Sequence, residues 1–243
     1  MRIIKLDATD STNAYLKNVM QTEVLDDFTT VIANQQLKGR GQVGAAWHSE
    51  RGKNLTISVL KRFNALNARR QFILNMAVSL AVYNTLKELQ ITNLSIKWPN
   101  DILSGNKKIC GILIENVMQE QFISFSIIGI GLNVNQLSFP GLKSATSIKL
   151  QSGRTIVLDE LLDQLLNELK KILSGLEDIK FAKIKEAYED YLFRKDKPST
   201  FKNIENQLFT GYIRGISDSG KLRLEIEDHI LQEYDLKEIQ LLY

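Results

Sequence analysis

Apolar and polar positions alternate along the chain in two distinct periods. Arg2 to Leu6 reads as a short strand, Asn13 to Met20 carries helical spacing, and Thr29 to Asn34 and Asn54 to Leu60 read as further strands. From Ala68 to Leu89, the residues Phe72, Ile73, Met76, Leu80, Tyr83 and Leu86 form an apolar stripe with more apolar residues beside it, which predicts a largely buried helix. Three strands are predicted next, over Leu94 to Lys97, Lys108 to Val117 and Phe122 to Ile130, the last two joined as a hairpin through Gln119 to Gln121. Leu158, Leu161, Leu162, Leu165, Leu166, Leu169, Ile172 and Leu173 recur at intervals of three and four with charged residues between them. This amphipathic helix is too short for a sustained coiled-coil seam, so it is expected to pack on the chain's own sheet. A last helix is predicted over Ile179 to Phe193.

The polar segment Arg194 to Thr200 contains Pro198 and suggests a boundary between residues 1–194 and 195–243. The tail beyond it is strand only. Lys221 to Glu227 alternates without a fault after an Asp218-Ser219-Gly220 turn, and Leu208 to Ile216 and Leu236 to Leu242 look like strands, so a small barrel is expected. With seven Lys or Arg against nine Asp or Glu, residues 195–243 do not suit a nucleic-acid-binding module, which leaves a structural role packed against the larger unit.

Composition narrows the class without naming an activity. The 243 residues are 44% hydrophobic and 24% charged, as in ordinary globular proteins, and no apolar run approaches a membrane span. No secretory leader is evident at MRIIKLDATDST, so a cytoplasmic protein is expected. The single cysteine, Cys110, excludes an internal disulfide, and the two histidines, His48 and His229, show no zinc spacing, so no protein-bound metal is expected. A net charge of +3 is too small to mark a nucleic-acid or membrane partner.

The chemistry concentrates in three places. Between Gln36 and Arg62, Lys38, Arg40, Arg51, Lys53, Lys61 and Arg62 face only one acid, Glu50, and glycines at 39, 41, 44 and 52 let the backbone approach a ligand. Gly39 to Gly44 formally matches GxGxxG. However, it leads through Ala45 to Gly52 into another strand instead of opening a helix, so the dinucleotide reading fails, and the absence of HRD and DFG removes the kinase reading. The second place is Lys97-Trp98-Pro99-Asn100-Asp101 followed by Lys107-Lys108-Ile109-Cys110-Gly111-Ile112-Leu113-Ile114-Glu115. Taken alone, Asn100 and Asp101 read there first as ordinary turn formers. The third is Gly129-Ile130-Gly131-Leu132-Asn133, where glycines at a strand end permit close approach.

In order and in register, Asp10-Ser11-Thr12-Asn13, Gln36 with Gly39-Arg40-Gly41, Trp47, Lys97 to Asp101, Lys108, Gly111 and Gly129 to Asn133 resemble the biotin protein ligases over nearly the whole chain. The resemblance implies an α+β fold, a mixed sheet flanked by helices, followed by a small SH3-like C-terminal β-barrel. It implies ATP-dependent attachment of biotin, through biotinyl-5'-adenylate and with pyrophosphate release, to a lysine of a biotin carboxyl carrier domain of a carboxylase. Ser11, Thr12, Asn13, Gln36, Arg40, Gly41, Gln42, Lys108 and Gly111 are implied on the biotin side. Arg40, Trp47, Asn100, Asp101, Lys108 and Asn133 are implied on the ATP side, with Arg40 and Lys108 as the catalytic cations and Mg²⁺ on the phosphates.

Ser11 to Asn13 also fit a plain helix N-cap, and Trp47 fits either an apolar wall or core packing. Cys110, His48 and His229 are expected to be bystanders. The chain departs from the family's loop at Gln42 and Ala45, where basic residues are common, and Lys38 or Arg51 is the expected compensation. The motifs begin by Asp10, so neither the helix-turn-helix domain of the family's repressors nor a repressor role is expected. Lipoate ligation and vitamin sequestration are the competing activities, and the sequence leaves monomer and homodimer open.

Overall fold

A computed structural model describes residues 2–243. Ile3–Thr9 (β1), Thr30–Gln36 (β2), Leu55–Asn67 (β3), Leu94–Lys97 (β4), Asp101–Ser104 (β5), Lys107–Gln119 (β6) and Phe122–Leu132 (β7) form one seven-stranded sheet in the order β1-β2-β3-β7-β6-β5-β4. The β1–β2 pair is parallel and the other neighbours run antiparallel, so the sheet is mixed. Thr12–Thr22 (α1) lies on one face. Phe72–Glu88 (α2) lies on the other, with Ile148–Ser152 (α3), Leu158–Leu173 (α4) and Phe181–Asp190 (α5) following β7 in the chain.

The two faces follow from the period-2 alternation of β3, β6 and β7. Ile57, Val59, Ile112, Ile128 and Ile130 belong to the large core that includes α2 and α4, while Leu60 and Ile127 join Leu16 of α1 in a smaller core. The leucine seam of α4 packs there too: Leu161, Leu162, Leu165, Leu166, Leu169 and Leu173 are buried in the same core as α2. α2 begins later than its apolar pattern suggests. Asn67 Oδ1 accepts from Arg69 N at 2.9 Å and starts a 3₁₀ turn over Ala68–Arg70 before the α-helix opens at Phe72.

β5 has no counterpart among the predicted strands. Its polar flanks, Asn100 and Asp101 before and Gly105-Asn106 after, read as turn, yet Ile102 and Leu103 are fully buried between β4 and β6.

The C-terminal strands are Pro198–Asn203 (β8), Leu208–Ile216 (β9), Leu222–Glu225 (β10), Leu231–Tyr234 (β11) and Ile239–Leu242 (β12). They pair in the order β11-β10-β9-β8-β12, and the edge strands β11 and β12 do not pair with each other, so an open sheet stands where a closed barrel was expected. The alternating run to Glu227 stops early because Asp228 and His229 take positive φ in a 3₁₀ turn. Arg194 to Thr200 is a braced turn leading into β8: Arg194 Nε donates to Ser199 Oγ at 2.8 Å, and Pro198 takes the first strand position, where its missing N–H is tolerated. The sheet docks on the larger unit through close approaches, with Ile216 N donating to Glu189 Oε1 of α5 at 2.8 Å and Trp98 Nε1 to the Gly220 carbonyl at 2.9 Å.

Candidate active site

Cross-strand pairing aligns Thr56 with Gly131 and Gly111, and Ser58 with Gly129 and Leu113, all on the α1 face. Three glycines in that patch leave a hollow where side chains would stand. A Cβ on Gly131 would lie 2.4 Å from Trp47 Cε2, and one on Gly111 3.0 Å from Lys108 Nζ, so the glycines form the floor on which these groups rest. Above the floor is a cavity of about 350 Å³. Its walls come from the start of α1, the loop after β2, the β4–β5 turn, β6 and β7, and from Phe201, Ile213, Leu222 and Ile239 of the C-terminal sheet.

The polar end is built on α1. Ser11 has the extended backbone of an N-cap, but its hydroxyl makes no capping bond. The orphan Thr12 N–H is satisfied instead by Gln36 Oε1 at 2.8 Å, which also lies 3.1 Å from Thr12 Oγ1. Asn13 is more committed: Nδ2 donates to Glu115 Oε2 at 2.7 Å, and Oδ1 accepts from Ser58 Oγ at 2.5 Å.

The glycine loop folds back on itself. Gly41 N donates to the Ala45 carbonyl at 2.6 Å and Trp47 N to the Gly39 carbonyl at 2.9 Å, which carries the Trp47 indole onto the glycine floor. Trp47 Nε1 and Gln42 Oε1 are shielded from solvent without a hydrogen-bond partner. Arg40 is half exposed, with its guanidinium 3.8 Å from Glu115.

The charged end is built on the β4–β5–β6 turns. Lys108 Nζ stands 2.6 Å from Asp101 Oδ1 and 5.5 Å above the Trp47 ring. Asn100 Nδ2 donates to the Ile112 carbonyl at 2.6 Å and ties the turn to β6. Lys97 also faces the cavity, its ammonium 4.8 Å over the Tyr243 ring. Among the described lining residues Arg40, Lys97 and Lys108 are basic and Asp101 alone is acidic, so the cavity favours an anion.

Most of the residues singled out from sequence converge here: Ser11, Thr12, Asn13, Gln36, Arg40, Gly41, Gln42, Trp47, Asn100, Asp101, Lys108 and Gly111 all line the cavity. Asn133 does not. It is 3% exposed behind the floor, with Nδ2 donating to the Thr146 carbonyl at 2.9 Å and Oδ1 left without a partner. Lys38 and Arg51 also lie outside the lining, in surface pairs with Asp10 at 2.9 Å and Asp7 at 2.5 Å, which corrects the idea that either supplies the loop's missing cation. Burial pushes the Cys110 thiol up and away from the thiolate form.

Ser58 and the C-terminal wall are additions, while Lys97 and Glu115 stand in the second stretch read from sequence without a role assigned to them there. Ser58 and Glu115 left a trace in the sequence, as polar residues inside otherwise apolar strand patterns. The wall left none, because a strand's alternation does not say what its apolar face will meet.

Residues 6–133 match the model of the Biotin/lipoate A/B protein ligase family. The bifunctional ligase/repressor BirA of Bacillus spizizenii is 33% identical over 210 residues, which are 85% of this chain and 64% of that protein; the chain thus spans just under two thirds of that relative. The biotin–[acetyl-CoA-carboxylase] ligase of Paracoccus denitrificans is 29% identical over 226 residues, covering 90% of this chain and 92% of its own. Among solved structures, the biotin protein ligase of Aquifex aeolicus in complex with biotin and ATP superposes with a TM-score of 0.81 at 27% identity, covering 99% of this chain and 98% of that one. With the family's motifs gathered around one cavity and the match extending over more than half of its length, the chain belongs to the biotin/lipoate A/B protein ligase family.

Proposed function

We propose that this protein is a biotin protein ligase, which activates biotin with MgATP and transfers it to a lysine of a biotin carboxyl carrier domain. The observation that carries the reading is the pairing, in one cavity, of a hydroxyl and amide end (Ser11, Thr12, Gln36) with a cationic end (Arg40, Lys97, Lys108) across a glycine floor. An elongated acid with a polar ring and a carboxylate fits that polarity. The relatives named as biotin ligases, and the solved relative holding biotin with ATP, support the same choice over lipoate.

In the first step a biotin carboxylate oxygen bonds to the α-phosphorus of ATP as the bond to the bridging oxygen breaks, and pyrophosphate leaves with that electron pair. Two anions must meet, so the residues' contribution is charge. Lys108 and Arg40 face the developing negative charge as preorganised cations, while Mg²⁺ travels with the phosphates; among the described lining residues Asp101 is the single carboxylate, too few for a protein cage. In the second step the acceptor amine attacks the acyl carbonyl, AMP leaves and the amine loses its proton. No enzyme nucleophile is needed, which suits a cavity whose neighbouring thiol, Cys110, is buried beneath it.

On this reading Ser11, Thr12, Asn13 and Gln36 surround the biotin ring, with Gly41, Gln42 and Gly111 along its chain. Trp47, Asn100 and Asp101 serve the nucleotide, and Asn133 supports that side from behind the floor. We also propose that residues 1–194 form the catalytic unit and 195–243 an SH3-like module, and that the protein works in the cytoplasm without nucleic acid, as a monomer or homodimer. Biotin-dependent exchange between ATP and pyrophosphate, with lipoate and octanoate in parallel, tests the activity. Exchange with biotin alone is expected; exchange only with lipoate moves the protein to the other branch of its family.

A further inference from the structure

Glu115 ends the stretch that opens at Lys107 and has no role assigned from sequence, yet the hydrogen bonds of the polar end begin at it. A carboxylate only accepts, so Asn13 must turn Nδ2 toward Glu115 Oε2, 2.7 Å away. Asn13 Oδ1 then faces Ser58 Oγ at 2.5 Å, where it can only accept, and the single Ser58 proton goes to it. The absence of a side chain at Gly129 makes this seat possible, since a Cβ there would lie 2.6 Å from Asn13 Oδ1. Ser58 Oγ is also 2.7 Å from Thr12 Oγ1, and with the Ser58 proton committed to Asn13, the one Thr12 proton is drawn away from the cavity, toward Ser58 Oγ or toward Gln36 Oε1 at 3.1 Å. Thr12 Oγ1 is left with lone pairs toward the cavity. Gln36 Oε1 is held by the Thr12 N–H, so Gln36 Nε2 keeps its protons for a ligand.

We propose that Glu115 is a positioning residue that sets the donor and acceptor pattern of the acid-binding pocket through Asn13, Ser58 and Thr12. The pattern is an acceptor at Thr12 beside a donor at Gln36, which matches a cyclic urea, a ring carbonyl flanked by N–H groups. Without the carboxylate, only the Leu113 carbonyl at 3.4 Å still orients Asn13 Nδ2; the amide can turn over, the Ser58 proton is released toward Thr12, and it occupies a Thr12 lone pair that the ligand's N–H needs. Asn13 and Ser58 are 3% and 0% exposed, so water does not substitute between those two.

This inference rests on biotin as the acid. Calorimetric titration of biotin into the wild type, Glu115→Ala, Glu115→Gln, Ser58→Ala, Asn13→Ala and the Asn13→Ala/Glu115→Ala double variant tests it, with steady-state kinetics beside it. The dissociation constant is expected to rise about tenfold or more in Glu115→Ala and in Ser58→Ala, as for a misdirected buried hydrogen bond. Glu115→Gln, whose amide oxygen can still accept from Asn13, should stay within about threefold of wild type. In the Asn13→Ala background, removing Glu115 should add less than about twofold, because residues acting through one another are not additive. The KM for biotin should move while kcat at saturation does not.

An unchanged constant in Glu115→Ala or Ser58→Ala, or no rescue by glutamine, overturns the proposal. So does a Glu115 effect that persists in full without Asn13, which would route it through Arg40, 3.8 Å away. If Glu115→Ala does not fold, Ser58→Ala and Glu115→Gln still decide the matter. Absence of biotin binding to the wild type would overturn the activity itself, and needs no variant to be seen.

Discussion

Lys108 Nζ lies 2.6 Å from Asp101 Oδ1 on the neighbouring strand, and this pair aims the ammonium over the Trp47 ring instead of leaving it to swing in solvent. The Lys108 side chain is 34% exposed, so the pair adds little to stability, about 0–1 kcal/mol. Its value lies in the preorganised charge. Lys108→Ala is expected to melt close to wild type while biotin-dependent pyrophosphate exchange falls about 10²–10³-fold, the usual effect of removing one group aimed at developing charge. Turnover within a few-fold of wild type would take Lys108 out of the chemistry.

The glycine loop brings one cation, Arg40, to the cavity, and the neighbouring Gln42 places an oxygen there that finds no partner. Lys38 and Arg51 are held by Asp10 and Asp7 at the surface, so neither replaces a cation at position 42. Gln42→Arg should therefore slow release of biotinyl adenylate, by about tenfold for a single charge-assisted bond to phosphate. The double variant Lys38→Ala/Arg51→Ala should release it at the wild-type rate. Radiolabelled adenylate retained on a filter over time measures both, and an unaltered off-rate in Gln42→Arg would contradict this account of the loop.

The large sheet and its helices were legible because their residues obey one period at a time: α4 repeats leucines at three and four, and the β6–β7 hairpin sets two mainly apolar runs on either side of the polar turn Gln119 to Gln121. β5 was hidden because a four-residue strand carries only Ile102 and Leu103 as signal among turn-forming neighbours. The site was legible where motifs put unusual residues together, as in Lys97 to Asp101. It was not legible where function depends on pairing across strands. Ser58 reaches Asn13 only because β3 brings it over Gly129, and Asn133 turns behind the floor because its amide holds the Thr146 carbonyl. Gly220 could be read as a turn residue, but not as the point where the C-terminal sheet meets Phe72.

Cys110 sits in the middle of the Lys108 to Gly111 motif and invites a catalytic reading that its surroundings refuse. It is fully buried, and desolvation raises its pKa, with nearby Lys108 opposing only in part. Raising a thiol's pKa depletes the thiolate at any working pH, so the native protein should not react with Ellman's reagent at pH 8, and one equivalent should appear on adding denaturant. Rapid labelling of the folded protein would show that β6 opens at this point.

Gly220 joins both halves of the molecule. At φ +89° it occupies a region that disfavours side chains, a Cβ there would lie 2.2 Å from Phe72 Cγ of α2, and its carbonyl receives the Trp98 indole N–H at 2.9 Å. Gly153 offers an internal control, since at φ +73° it shares the backbone strain but has nothing within 4 Å of its Cβ position. Gly153→Ala should cost about 1 kcal/mol from the backbone alone. Gly220→Ala should cost about 2–4 kcal/mol, because the clash with a buried ring adds an overpacking term. Urea unfolding with an unchanged slope would measure the difference. Because Trp98 precedes Pro99, Asn100 and Asp101, displacing the Gly220 carbonyl should also raise the KM for ATP, an effect Gly153→Ala should lack. Equal costs in the two variants would mean that the C-terminal sheet is not pressed onto α2 at this turn, and an unchanged KM would mean that Trp98 does not transmit its position to Asp101.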